Sequence, residues 1–225
     1  MADSSKMKSK ILTILYEKYK EHVRQLKTLS IYPTDAARQT DFDETKLLEE
    51  SDFQQSDKSN IFSHIESLEL VGFPELKWNH LLPVFELMPN LKELNLQENI
   101  SLFDGFDCKS IFSGLQNIEK LIITSTNGDF CILKCLLPLL PNLKILYMSG
   151  NKLNAFDTVP LDQIDSVGKP SILTELYLSR NDFTSLLDIT PIGNNLFPEL
   201  KMLSLSECPN LTDFDKNTNE LNNFN

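Results

Sequence analysis

The chain has few of the residues on which catalytic sites depend. Its 225 residues include only seven glycines and three histidines, and no glycine-rich phosphate loop, G-x-S-x-G, H-E-x-x-H or C-x-x-C motif occurs. The histidines, His22, His64 and His80, are far apart in the sequence and are each expected to be surface or hydrogen-bonded side chains. The sequence therefore predicts a protein that is not an enzyme and that holds no metal and no cofactor.

Positive charge and long apolar runs are also scarce. Asp and Glu number 32 against 21 Lys and Arg, a net charge of −11. Proteins that bind nucleic acid need clustered Lys and Arg, so we expect no nucleic-acid partner. The apolar runs are too short to span a membrane, and the polar start, Met1 to Lys6, has no signal-peptide pattern. A cytoplasmic location without a membrane partner is expected.

What the chain does contain is a repeated phrase. Leu143–Leu153 and Leu173–Phe183 both fit L-x-x-L-x-L-x-x-N-x-L. Looser copies begin at Ile65, Leu91, Ile118 and Leu200. The six copies are spaced by about 25–30 residues, and this pattern is that of a leucine-rich repeat. One repeat cannot bury its apolar side alone, so stacked neighbours must form a continuous core.

The repeats are long enough to carry helices on the convex side. Trp78–Leu87 and Ile132–Leu140 are apolar stretches, each followed by a Pro-Asn-Leu that opens the next strand. Pro83 and Pro138 lie inside them and predict a first-turn position or a partly 3₁₀ segment. The predicted fold class is α/β: a leucine-rich repeat solenoid with a curved parallel sheet of about six or seven strands, convex helices and an N-terminal helix.

The chain divides into three segments by composition. Residues 1–60 are predicted to form an N-terminal helix and an acidic linker, 61–215 the repeat domain and 216–225 a polar tail. The linker, Asp41–Asp57, carries seven acidic residues against Lys46 alone, and we expect it to be mobile. An irregular loop is expected between Phe156 and Ser171.

The four cysteines do not form the rich caps typical of extracellular leucine-rich repeat proteins. They are Cys108, Cys131, Cys135 and Cys208, and we expect buried, reduced thiols. Cys131 and Cys135 lie one helical turn apart, but no histidine is near enough in sequence to suggest zinc.

The concave face of the sheet is the candidate binding surface. The residues between the last two apolar positions of each strand point to this face, and Tyr147 and Tyr177 follow one another there. Adjacent exposed aromatics favour an interface, although tyrosine also suits strands in general. The predicted partner-binding residues are Ile122, Tyr147, Tyr177, Arg180, Glu175 and Lys144. Trp78 is either a binding anchor or, more simply, a packing residue.

Several features together resemble tubulin-folding cofactor E. They are the apolar helix Ile11–Tyr19, the acidic gap after it, the Leu-Pro-Asn-Leu joints, Lys77-Trp78 after the first strand, and the insertion between Phe156 and Ser171. The resemblance implies a central repeat region that binds α-tubulin or the tubulin heterodimer, or other tubulin-folding cofactors, during heterodimer assembly and dissociation. It also implies association with the cytoskeleton. The family's CAP-Gly and ubiquitin-like modules have no counterpart in this sequence, so a fragment of a larger protein is expected.

Two other functions fit the same repeats. One is a generic intracellular adaptor, such as a phosphatase regulator or a spliceosomal scaffold. The other is a subunit that positions a catalytic partner.

Overall fold

The structure is a computed structural model that describes residues 27–33, 62–106, 115–154, 172–189, 192 and 197–211. The predicted N-terminal helix, acidic linker, irregular loop and polar tail lie outside these described residues. The repeats, which carry the candidate site, lie largely within them.

A parallel sheet of seven strands, in chain order, runs through the described residues. This confirms the predicted leucine-rich repeat solenoid. The strands are β1 (Thr28–Ile31), β2 (Ser67–Leu70), β3 (Glu93–Asn95), β4 (Lys120–Ile122), β5 (Ile145–Tyr147), β6 (Glu175–Tyr177) and β7 (Met202–Ser204).

The leucine spacing produces the core because strand side chains alternate between two faces. Each strand contributes one leucine to a continuous row, formed by Leu29, Leu68, Leu94, Leu121, Leu146, Leu176 and Leu203. The first six are at most 2% exposed, whereas Leu203 on the last strand is half-buried. Burial of a leucine stabilises the fold by about 1.5–3 kcal/mol, so this row is a main source of stability.

The side opposite the open sheet face carries short helices, as the apolar runs predict. They are a 3₁₀ turn at Trp78–Leu81 followed by α1 (Leu82–Leu87), α2 (Phe130–Leu136) followed by a 3₁₀ turn at Leu137–Leu139, and a 3₁₀ turn at Leu186–Asp188. Pro83 occupies the first turn of α1 and Pro138 lies in a 3₁₀ turn. Both positions confirm the expectation, since proline lacks the N–H that a helix interior needs.

The sheet begins earlier than the sequence interpretation placed it. Strand β1 lies within residues 1–60, which were assigned to a helix and a linker, and it pairs with β2 over four residues. Leu29 and Ile31 are both buried, so the triplet Leu-Ser-Ile behaves as an L-x-L core. The triplet was missed because no turn-closing asparagine follows it.

Trp78 is a packing residue and not a binding anchor. It is 1% exposed and its ring lies within 6 Å, centroid to centroid, of Phe85, Phe103 and Phe106. Its indole N–H is buried without a hydrogen-bond partner among the described residues. The side chain therefore stabilises the convex layer by apolar contact.

The expectation of buried, reduced cysteines is not met in full by any of the three described cysteines. Cys135 is disulfide-bonded, and Cys131 is a free, exposed thiol. Cys208 is a free thiol of intermediate burial. Cys131 and Cys135 share one side of α2, where the Cys135 Sγ lies 3.5 Å from the Cys131 carbonyl oxygen. Disulfides are rare in reducing compartments, so the one at Cys135 does not support a cytoplasmic location. That location stays a prediction.

Candidate protein-interaction surface

The concave face is formed by the side chains that alternate with the buried leucines. Its central column runs across neighbouring strands through Ile122, Tyr147, Tyr177 and Ser204, which are partners in strand register. All four side chains are half-buried. The column therefore presents an isoleucine and two aromatic rings to whatever lies above the sheet.

Tyr147 and Tyr177 form a face-to-face stack. Their ring centroids are 4.1 Å apart and the ring planes differ by 3°. Neighbouring strands are about 4.8 Å apart, so the two rings lean towards each other from adjacent strands. Such a pair contributes about 0.5–1.5 kcal/mol beyond its buried area, and the stack holds both rings in a fixed orientation.

The hydroxyl of Tyr177 is also fixed. It donates a hydrogen bond to Glu175 Oε2 at 2.9 Å and lies 3.1 Å from Met202 Sδ. The hydrogen bond to Glu175, followed by one involving Tyr147, raises the pKa of Tyr177 well above its usual value. Tyr177 is therefore a neutral donor at physiological pH.

Glu175 is a carboxylate with no cation beside it in the described part of the chain. Its register neighbours on the two flanking strands are Ile145 and Met202, both apolar. The only hydrogen bond that it accepts from a described residue comes from the Tyr177 hydroxyl. By contrast Glu93, which holds the equivalent position on β3, does have a cation beside it. Its Oε2 lies 3.6 Å from the Nζ of Lys120 on the next strand.

Lys144 lies at the leading end of the strands, one residue before β5. There it belongs to a row of alternating charges formed by Lys27, Glu66, Lys92, Glu119 and Lys144. Its Nζ is 2.7 Å from Glu119 Oε2. This contact lowers the pKa of Glu119, and it compensates the positive charge of Lys144.

Arg180 lies at the opposite, trailing end. It takes the left-handed backbone conformation, φ 56°, that Gly150 takes at the same position of the previous repeat. Its backbone N–H donates to the carbonyl of Ser206, and its Nε lies 3.7 Å from Glu207 Oε2. The exposed guanidinium therefore already has a carboxylate neighbour.

Four of the six predicted site residues thus come together, and two do not. Ile122, Tyr147, Tyr177 and Glu175 meet at the centre of the concave face, whereas Lys144 and Arg180 lie at its two ends. Met202 was missed by the sequence interpretation, although it is 48% exposed and contacts Tyr177. Aligning the last repeat would have revealed it, since Met202 is in register with Glu175.

Neither a metal-binding cluster nor a membrane span occurs within the described ranges. No group of three or more His, Cys, Asp or Glu side chains there is arranged to hold a metal ion. No helix in that part of the chain is long and apolar enough to cross a bilayer.

The strand order, the leucine row and the open concave face define a leucine-rich repeat protein of the α/β solenoid class. The sequence matches no family model and no curated protein. Among solved structures, the chain is similar to the crystal structure of human 5T4 (Wnt-activated inhibitory factor 1, trophoblast glycoprotein) at 19% sequence identity and a TM-score of 0.44. The similarity covers 64% of this chain and about half of that protein, 52% of its length.

Proposed function

We propose that this chain is a non-catalytic protein-interaction domain whose concave face binds tubulin or another tubulin-folding cofactor. The observation that carries the proposal is the stacked Tyr147–Tyr177 pair at the centre of that face. Tyrosine is among the residues most enriched in binding hot spots, because it offers a large amphipathic surface at a small cost in conformational entropy.

The surroundings of the pair favour a protein ligand. Ile122 and Ile145 are half-buried beside the rings, Met202 is exposed, and charged side chains lie at both ends of the strands. An apolar centre with a polar rim is the usual anatomy of a protein–protein interface. Tubulin as the partner is supported by the sequence resemblance to tubulin-folding cofactor E.

The experiment is a titration of the full chain with purified tubulin heterodimer. Tyr147→Ala plus Tyr177→Ala should weaken binding by at least about 2 kcal/mol while the melting curve shows a folded domain. Tyr32→Ala is the matched control, because Tyr32 is an exposed tyrosine at the far edge of the same sheet, hydrogen-bonded to Glu69. It should bind as wild type does. Equal binding by the double variant and wild type would contradict the concave interface.

The second candidate is an adaptor for a different protein. It is favoured by one observation: Lys144 and Arg180, the two cations among the predicted site residues, both lie beside carboxylates. An acidic partner such as tubulin would gain more from unpaired cations. If tubulin does not bind but a protein captured from cell extract requires both tyrosines, the adaptor function holds.

A further inference from the structure

Glu175, beside Tyr177, has surroundings that are unusual for a carboxylate on an exposed sheet face. The carboxylate is in register with two apolar side chains, Ile145 and Met202, and is half-buried among them. Removing part of the hydration from a carboxylate is unfavourable unless a cation or hydrogen-bond donors compensate. Within the described residues, the Tyr177 hydroxyl is the one donor that reaches it.

The outer face of the Tyr177 ring is the second feature. Tyr147 covers one face of this ring at 4.1 Å. The register partner on the other side is Ser204, whose side chain is too short to cover an aromatic ring. A flat group placed over Ser204 would therefore continue the stack from Tyr147 through Tyr177.

An arginine side chain meets both requirements at once. Its guanidinium is planar, it stacks on aromatic faces, and it pairs with carboxylates through several N–H donors. Its aliphatic stem suits an apolar neighbour such as Met202. A lysine offers the charge without the planar group, so it satisfies the carboxylate but does not extend the stack.

We propose that the corner formed by Glu175, Tyr177, Met202 and Ser204 receives an arginine side chain from a protein partner. This proposal rests on the proposed interaction function, whose concave face it deepens, but not on tubulin as the partner. Charge complementarity supports it, because the chain has a net charge of −11 and the two cations among the predicted site residues, Lys144 and Arg180, already have carboxylate neighbours.

The probes are three short peptides, acetyl-Gly-Leu-Arg-Leu-Gly-amide and its citrulline and lysine counterparts. Citrulline keeps the shape of arginine and removes its charge. Each peptide is titrated into the ¹⁵N-labelled full chain, and amide shifts are followed by NMR. We expect saturating shifts that concentrate at Tyr177, Met202 and Ser204 for the arginine peptide. The citrulline and lysine peptides should bind at least about fivefold more weakly.

The matched pair of variants is Glu175→Gln and Glu69→Gln. The glutamine amide oxygen at position 175 still accepts the Tyr177 hydroxyl, so the fold is kept while the charge is removed. Affinity for the arginine peptide should then fall about fivefold. Glu69 is a carboxylate of the same face that already accepts hydrogen bonds from Ser30 and Tyr32, at 2.7 Å and 3.2 Å. Its variant should bind as wild type does.

A third variant tests the ring face without touching the charge. Ser204→Leu fills the space over Tyr177 and should also weaken the arginine peptide. Equal affinity for the citrulline or lysine peptide, unchanged binding in Glu175→Gln, or equal losses in Glu175→Gln and Glu69→Gln would each overturn the proposal. Since no tubulin is present in these titrations, their failure is distinguishable from failure of the tubulin-binding experiment.

Discussion

The side-chain amide of Asn181 accepts a hydrogen bond from the backbone of Asn151, its counterpart in the preceding repeat. The backbone N–H of Asn151 donates to Asn181 Oδ1 at 2.9 Å, and the backbone N–H of Thr126, one repeat earlier, donates to Asn151 Oδ1 at 2.8 Å. Both asparagines are at most 4% exposed. Each of these repeats is thus tied to its predecessor by a buried side-chain amide.

Asn181→Ala should strongly destabilise the domain. The Asn181 amide satisfies two carbonyls, of Met148 and Leu178, and two N–H groups, of Asn151 and Leu153. Leaving these buried backbone groups without partners should lower the free energy of unfolding by about 3–5 kcal/mol. Urea denaturation measures the difference.

Asn142→Ala is the control for that substitution. Asn142 is exposed and its side chain donates one hydrogen bond, to the carbonyl of Gln116. Water can replace this bond, so the loss should stay near or below about 1 kcal/mol. Similar losses in the free energy of unfolding for the two variants would contradict this account. They would show that burial of an asparagine amide does not determine how much it stabilises the domain.

Trp78→Phe should cost much less than Trp78→Ala. The indole N–H has no hydrogen-bond partner in the described structure, so phenylalanine removes volume but breaks no polar contact. We expect a loss of about 1–2 kcal/mol for phenylalanine and about 3–5 kcal/mol for alanine. The unfolding of both variants is followed by circular dichroism. Tryptophan fluorescence does not serve, because the chain has one tryptophan and both variants lack it. Equal losses would contradict the apolar packing role, because the two variants differ in the ring volume that phenylalanine keeps and alanine removes.

The charge at Glu66 should make stability depend on pH. Hydrogen bonds from Lys27 and then Lys92 lower the pKa of Glu66 from 4.5 to about 2. A carboxyl whose pKa is lower in the folded state contributes stability above its unfolded pKa, and this contribution is lost as the pH falls from about 4.5 to about 2. Wild type should therefore exceed Glu66→Gln in stability near neutral pH, and the difference should shrink across that window.

Urea midpoints for the two proteins, measured at several pH values, give this difference. High salt should reduce it, because the row of charges is exposed to solvent. A difference that is unchanged at the acid end of the window would contradict the assignment to Glu66.

The cysteines should react in a fixed order. Without reductant, iodoacetamide should label the exposed Cys131 first and Cys208 more slowly, and leave the disulfide-bonded Cys135 unlabelled. Trypsin cleaves after Lys134 and so separates Cys131 from Cys135 for mass spectrometry. Rapid labelling of Cys135 without reductant would mean that its disulfide is absent in solution.

The sequence predicted the solenoid well because the pattern that determines the fold lies within each repeat. The L-x-L alternation determines which side chains are buried, and stacking such units leaves one arrangement for the sheet. The pairing of Tyr147 with Tyr177 follows from the same register. The asparagine of the repeat pattern closes a turn in the same local way, as at Asn99, whose amide donates to the carbonyls of Leu70 and Leu96.

What the sequence did not predict depends on contacts between repeats. The Met202 sulfur beside Tyr177 comes from the next repeat, 25 positions later. The disulfide at Cys135 likewise depends on tertiary geometry, which spacing alone does not determine. Strand β1 was missed because no asparagine follows its Leu-Ser-Ile triplet to complete the repeat pattern.

The measurement that tests the concave interface most directly is site-specific photo-crosslinking to tubulin. A benzoylphenylalanine at position 147 stands at the centre of the concave face. The same residue at position 187 replaces Leu187, which is 76% exposed on a 3₁₀ turn outside the sheet. Binding through the concave face predicts a tubulin crosslink from position 147 and none from position 187. A crosslink from position 187 alone would place the interface on the convex side and contradict it.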